Sequence, residues 1–296
     1  MRILFVGDID GSPGRTALAN ALPALREEWQ GFDFVVINCE NAAAGKGMTG
    51  KILEEFLTLG VDGMTSGNHI WDKNAFYPIL NEETRVLRPA NYPPECPGSG
   101  VTVLRRNGKK LGLINLQGRV FMPPIDCPFH CADALLEELR AKEGDALPIL
   151  LDFHAEATSE KKALALYLDG RVSAVLGTHT HVQTADEQIL PGGTAFLSDV
   201  GMTGGHGGVI GVTTETVLPR YLTGLPSRFE VCGESPCVNA AVLEIDESTG
   251  AAVRIARVFR RMDYPSATES KYDTTQKRKK THRKPSGAFF ISIRMT

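Results

Sequence analysis

Nowhere in the 296 residues is there a run of about 18 apolar residues, so nothing reads as a membrane-spanning helix. The opening MRILFVGD shows no charged region, apolar stretch and cleavage site in succession, which excludes a secretory leader as the first expectation. Aromatic residues are scarce, at 7%. Cysteines number only six, Cys39, Cys96, Cys127, Cys131, Cys232 and Cys237. Without a leader these suggest reduced thiols and a cytoplasmic protein, not a disulfide framework. The grouping of Cys127, His130 and Cys131 with Cys232 and Cys237 lacks paired C-x2-C spacing, so scattered structural cysteines are expected over a zinc site. A phosphate-cradling G-x-x-x-x-G-K-[ST] loop is also missing. AAAGKG (42–47) has only Gly45-Lys46-Gly47, and GDIDGSPG (7–14) is not G-x-G-x-x-G. P-loop and dinucleotide chemistry are thereby disfavoured, and no internal repeat is evident.

What is present is ordinary globular composition, 42% apolar and 23% charged, with 30 Gly and 17 Pro for many turns. The net charge of −3 is uneven. Residues 264–296 carry eight Lys/Arg against Glu269 and Asp273, a balance of +6 that leaves −9 on the body. An acidic body argues against broad nucleic-acid affinity. The globular domain is expected over 1–262, and 263–296 reads as a basic, disordered tail ending in a short apolar FFISI. Lys277–Lys284 has no interleaved aromatics, so base stacking is not suggested there.

RILFVG (2–7) and DFVVIN (33–38) are uninterrupted apolar runs, the mark of strands buried on both faces. Ser12-Pro13 predicts a helix start, with Ser12 as cap, running to about Trp29. Thr49 predicts a cap for a helix closed by Gly60. The resulting β-α-β-α-β alternation implies a parallel sheet with covered faces. Further on, VTVLRR-NG-KKLGLINL (from 102) predicts a hairpin turning at Asn107-Gly108. A helix over about 131–143, strands at 148–153 and 172–177, and a helix over 160–169 capped by Ser159 follow. A strand at 194–199 and a final hairpin of 238–246 with 253–261 complete the pattern. GMTGGHGG, with His206, reads as loop.

Five of these strands end in polar residues of metal-binding type: Asp8, Glu40-Asn41, Asn68-His69, His154 and His179/His181. Each alone has an ordinary structural use: Asp8 in a turn or cap, Asn41 holding the Ala-rich loop, His69 packed beside Trp71. Five at the carboxyl edge of one sheet is where open α/β sheets bind ligands. Carboxylate, imidazole and amide donors without thiolate suit Fe, Mn or Zn. Two such ions about 3.5–4 Å apart can share a hydroxide and clamp a phosphoryl group for in-line attack. Glu40, with two oxygens, can bridge them. Thr180 reads as a spacer between His179 and His181.

The ordered blocks GDIDG (7–11), ENAAAGKG (40–47), GNHIWD (67–72), HAE (154–156) and GTHTHVQTAD (177–186) resemble the calcineurin-like metallophosphoesterases, and within them the YmdB-like bacterial branch. The similarity covers about residues 1–262. The wider superfamily begins D-x-H; here Asp10 stands in place of that His, and Glu40 in place of a bridging Asp, both as in the YmdB-like branch. The resemblance implies an α/β/β/α layered sandwich and two divalent ions, iron foremost with Mn and Zn as alternatives. One ion would lie on Asp8, Glu40, Asn41 and His181, the other on Glu40, Asn68, His154 and His179, with His69 as general acid. It also implies a homo-oligomer hydrolysing 2′,3′-cyclic or 3′,5′-cyclic nucleotides. The alternatives are a phosphomonoesterase or protein phosphatase, and a metal-containing regulatory protein whose basic tail contacts RNA.

Overall fold

The computed structural model describes residues 1–262; the basic segment 263–296, with the expectations placed on it, lies outside the described residues. The strands are β1 (Arg2–Val6), β2 (Asp8–Ile9), β3 (Phe34–Asn38), β4 (Gly63–Thr65), β5 (Val101–Arg106), β6 (Lys109–Gln117), β7 (Ile149–His154), β8 (Ala174–Thr178), β9 (Gln188–Ile189), β10 (Ala195–Leu197), β11 (Met202–Gly205), β12 (Pro236–Ile245) and β13 (Ala252–Arg261). The helices are α1 (Gly11–Glu28), α2 (Gly50–Thr58), α3 (Tyr77–Glu82), α4 (Pro128–Glu143), α5 (Thr158–Tyr167) and α6 (Thr214–Thr223).

Two sheets form, as the α/β/β/α resemblance implied, where the β-α-β-α-β alternation by itself suggested one. The first runs β2-β11-β12-β1-β3-β4, with β13 also paired to β12. The second runs β5-β6-β7-β8-β10-β9. Both are mixed. β1, β3 and β4 are parallel to one another, but β12 enters antiparallel beside β1. β6, β7, β8 and β10 are parallel, flanked by antiparallel β5 and β9.

The period of two along each strand makes the layers. Ile3 and Phe5 of β1, with Phe34 and Val36 of β3, pack against Leu113, Leu150, Leu176 and Leu197 of the second sheet. Their neighbours Leu4, Val6, Val35 and Ile37 pack on Leu18, Leu22 and Leu25 of α1 and Phe56 of α2. On the far side, Ile114, Leu151 and Phe153 pack on Leu136 and Leu139 of α4 and Leu164 of α5. A strand buried on both faces must be apolar at odd and even positions alike, hence RILFV and FVVIN. The architecture is the α/β/β/α sandwich.

Local signals are met with some displacement. Asn107 and Gly108 take φ of 48° and 77°, the left-handed pair a two-residue hairpin requires. Residue Asp10, not Ser12, precedes α1, and it makes no side-chain cap. α5 begins directly after Ala157, ahead of the expected Ser159 cap. The Gly-rich stretch read as loop contains β11, a strand of the first sheet on which α1 lies close: a Cβ at Gly14 of α1 would meet Thr203 O at 2.2 Å. Among the described residues, no helix is long and apolar enough to cross a membrane.

Thr49 does cap α2, its side chain accepting from Ile52 N at 3.3 Å. Thr49→Ala is expected to cost about 1 kcal/mol of unfolding free energy. A urea midpoint identical to the parent would show that the cap contributes nothing.

Candidate metal centre

The five polar strand endings do not lie along one sheet. Asp8, Glu40-Asn41 and Asn68-His69 follow β1, β3 and β4 of the first sheet, while His154 and His179-Thr180-His181 come from β7 and β8 of the second. The sandwich brings them together across the top of the inter-sheet core.

His154 is fully buried, with Nε2 3.1 Å from Glu40 Oε1 and 3.1 Å from His179 Nδ1. Glu40 Oε2 accepts from the His69 backbone N at 3.1 Å, and Asn41 Nδ2 donates to Glu40 Oε1 at 3.3 Å. Asn41 Nδ2 also lies 3.1 Å from His181 Nε2. Asp8 Oδ2 accepts from the His179 backbone N at 3.2 Å. Donor atoms of Glu40, His154 and His179 all fall within 4.8 Å of one another. The Gly67-Asn68 turn closes on the same point. A Cβ at Gly67 would meet His154 Nε2 at 2.2 Å and Glu40 Oε2 at 2.4 Å, so only glycine fits. The His69 ring is turned aside, with Nδ1 donating to Asp72 Oδ2 at 3.0 Å.

These residues fit metal ions on three counts. Asp8 Oδ1 and Asn68 Oδ1 are buried with no hydrogen-bond partner, a state that costs about 1–3 kcal/mol per group unless something binds there. The imidazoles are oriented as ligating imidazoles are, through their second nitrogen. Thr178 Oγ1 donates to Asp152 Oδ1 at 2.7 Å and so accepts from His154 Nδ1 at 2.9 Å, which frees Nε2. His181 Nδ1 donates to Ile210 O at 3.0 Å, which frees its Nε2. Finally, the charges favour a cation. Burial pushes the Asp8 carboxyl up to about 6 and, with the charge of His154, depresses His179 to about 3, leaving it a neutral imidazole. Burial opposes charge on Glu40 and His154 as well, but their mutual attraction outweighs it, lowering the carboxyl and raising the imidazole. A proton sits where a cation is wanted.

Thr180 is more than a spacer. His179 and His181 have φ of 97° and 66°, a region that costs a residue with a Cβ about 1–3 kcal/mol unless its surroundings over-determine it. The surroundings are Asp199. Its Oδ2 accepts from Thr180 N at 3.1 Å, Thr180 Oγ1 at 2.7 Å and Lys161 Nζ at 2.7 Å, and its Oδ1 from Gly201 N at 2.7 Å. The Lys161–Asp199 pair is 1% exposed on both sides. Neither residue stands out in the sequence, because a lysine in an amphipathic helix and an aspartate after a strand are ordinary surface chemistry. The only available hint was Gly177, where a Cβ would meet Ser198 O at 1.8 Å and Lys161 Cδ at 2.9 Å.

The cluster floors a cavity of about 600 Å³. Glu40, Asn41, His69, His179 and His181 reach it from below, Lys46 from the β3–α2 loop, and Arg220, Arg228 and Phe229 from α6 and the segment after it. The last four were not picked out in sequence as site residues. His206 lies just after β11 with Nε2 3.2 Å from Met202 O, facing a different cavity. Cys127 and Cys131 lie at the start of α4, Cys232 and Cys237 near the start of β12, and all six cysteines are free thiols.

The chain is similar to known proteins over most of its length. The family model described as YmdB-like protein matches residues 4–258. A 2′,3′-cyclic-nucleotide 2′-phosphodiesterase of Bacillus subtilis (strain 168) is 49% identical over 259 residues, 88% of this chain and 97% of the relative. The crystal structure of a hypothetical protein from Thermus thermophilus superposes with a TM-score of 0.82 at 44% identity, covering 89% of this chain and 100% of that one. A phosphatase from Mycoplasma pneumoniae gives a TM-score of 0.82 at 32% identity, covering 90% and 95%.

Proposed function

The chain belongs to the YmdB-like family, and from that premise we propose that it is a metal-dependent phosphodiesterase that opens 2′,3′-cyclic nucleotides at the 2′ oxygen. The observation that carries this is the pair of buried, unpartnered oxygens, Asp8 Oδ1 and Asn68 Oδ1, in a carboxylate–imidazole–amide cluster at the floor of a nucleotide-sized cavity. The name of the 49%-identical relative supports the substrate class. Asp8, Glu40, Asn41 and His181 would hold one divalent ion, and Glu40, Asn68, His154 and His179 a second, with Fe, Mn and Zn all suited to the donor set. When bound, such ions supply Lewis-acid stabilisation of the phosphoryl oxygens and a nucleophile at neutral pH.

The chain's own residues do the rest. Water adds to phosphorus, the bond from phosphorus to O2′ breaks, and a 3′-phosphate and a free 2′ hydroxyl result. His69 lines the cavity, and its Nδ1 is held by Asp72, so Nε2 is the atom that hands a proton to the departing 2′ oxygen. Lys46 supplies positive charge on the cavity side of the same loop that carries Glu40 and Asn41. Asp199, through Thr180, keeps both histidines of the H-x-H segment at their posts.

Metal content and hydrolysis of 2′,3′-cAMP and 3′,5′-cAMP, measured on one anaerobically purified sample, test the proposal. Two metals per chain and 3′-AMP as product from the 2′,3′ isomer are expected. Fewer than one metal, not restored by Mn or Fe, would overturn the ligand set. Turnover of p-nitrophenyl phosphate but not of its bis ester or of either cyclic nucleotide would make the protein a phosphomonoesterase instead.

A further inference from the structure

The cavity wall built by α6 and the segment to Val231 carries two arginines, Arg220 and Arg228, and also Glu230, while Asp10 and Glu40 lie on the floor. Lys46, Arg220 and Arg228 all line the cavity. Among the described residues, none of the three has a carboxylate within 4.0 Å. A 2′,3′-cyclic mononucleotide bears one negative charge, on the reacting phosphate, and that phosphate is matched by the ions the floor would hold. Further cations that no carboxylate pairs directly, Lys46 and Arg228 foremost, suit a further phosphate.

The same wall offers a stacking surface. Among the described residues, Phe229 is the only phenyl ring lining the cavity; it is 41% exposed, with the Arg220 guanidinium 5.4 Å from its centroid. Ser227, also in the lining, has a buried hydroxyl oxygen without a partner. Tyr221, on the same helix as Arg220, is 74% exposed. Cations interleaved with open aromatic faces are what single-stranded nucleic acid binds: the charges track phosphates and each base stacks on a ring. Lys277–Lys284 has no Phe, Tyr or Trp between its cations; in this wall Phe229 follows Arg228 in the chain and lies against Arg220.

We propose that residues 214–231, together with Lys46, form a subsite for the nucleotide that precedes a terminal 2′,3′-cyclic phosphate. The favoured substrate is then the 3′ end of a short oligoribonucleotide and not the free mononucleotide. Lys46 and Arg228 would neutralise the internucleotide phosphate, and Phe229, braced by Arg220, would carry a base. The inference rests on the phosphodiesterase proposed above.

The test compares kcat/KM for 2′,3′-cAMP with that for the dinucleotide ApA ending in a 2′,3′-cyclic phosphate, on the metal-loaded full chain. A preference of about tenfold or more for the dinucleotide is expected, the gain that stacking one base on an aromatic ring supplies. In Arg228→Ala with Lys46→Ala the dinucleotide should lose about tenfold more than the mononucleotide does, and its salt dependence should flatten. Phe229→Leu, which keeps an apolar side chain but removes the ring, should also narrow the preference. Equal kcat/KM for both compounds in the parent protein would overturn the inference and leave the phosphodiesterase standing. Hydrolysis of neither compound by metal-loaded protein would remove both. Variants that change the sedimenting species but not the substrate preference would assign this wall to a second copy of the chain, and that too would overturn it.

Discussion

Glu40→Gln abolishes most turnover, by about 10³-fold, while the chain still folds. Loss of an outer partner of a metal ligand already costs about 10- to 100-fold, and in the proposed function Glu40 would be a ligand to both ions. Its side chain is 1% exposed and both oxygens are engaged, Oε1 with His154 and Asn41 and Oε2 with the His69 backbone N–H. All these neighbours present donors or a proton. An amide in that position points its own N–H groups at one of them, and the negative charge that holds the cluster together is gone. The change is isosteric, so the packing around it is kept. Metal analysis and turnover of 2′,3′-cAMP on the variant check this. Undiminished turnover would sink the two-metal proposal.

Asp199→Asn gives the largest loss of stability. Four donors converge on one buried carboxylate, three on Oδ2 and one on Oδ1. An amide has one acceptor, so at least one donor set faces N–H groups, and Lys161 is left as a buried charge without a counter-ion. Breaking a buried pair in this way costs about 3–5 kcal/mol. In a domain of this size that lowers Tm by on the order of 10 °C. Metal retention falls as well, because the left-handed backbone of His179 and His181 depends on Thr180 being held. The double variant Lys161→Met with Asp199→Leu separates the two effects. Removing both charges restores much of the stability, yet Thr180 N–H still lacks its acceptor, so metal affinity stays weak. Calorimetry with metal titration reads both quantities. Parental Tm and metal content in Asp199→Asn would show that the pair holds nothing in place.

The candidate ligands were legible because they sit at the ends of apolar runs, where a polar side chain has few other reasons to recur. Asp8 after RILFV, Glu40 after FVVIN and His154 closing ILLDFH are local signals, and the Asn107-Gly108 hairpin and Thr49 cap are local too. The supporting residues were not legible. Lys161 and Asp199 are 38 positions apart, and their burial follows only from α5 packing on β8 and β10. β11 was hidden because its four residues, MTGG, have no apolar period, and its pairing is with β2 and β12, both distant from it in the chain. Ser12 and Ser159 misled because each helix begins before its expected cap, at a point where side-chain caps are absent.

The amino-acid sequence by itself therefore determined the strands, most helices and the identity of the polar residues at the strand ends, since each depends on residues within a few positions along the chain. Tertiary structure alone decided which of these endings belong to which of the two facing sheets, that His179 and His181 are held in a strained backbone by a buried ion pair, and that Lys46, Arg220, Arg228 and Phe229 face the same cavity. Those properties depend on which apolar faces meet, and burial of both faces of β1, β3, β7 and β8 settles that only once the whole chain has closed.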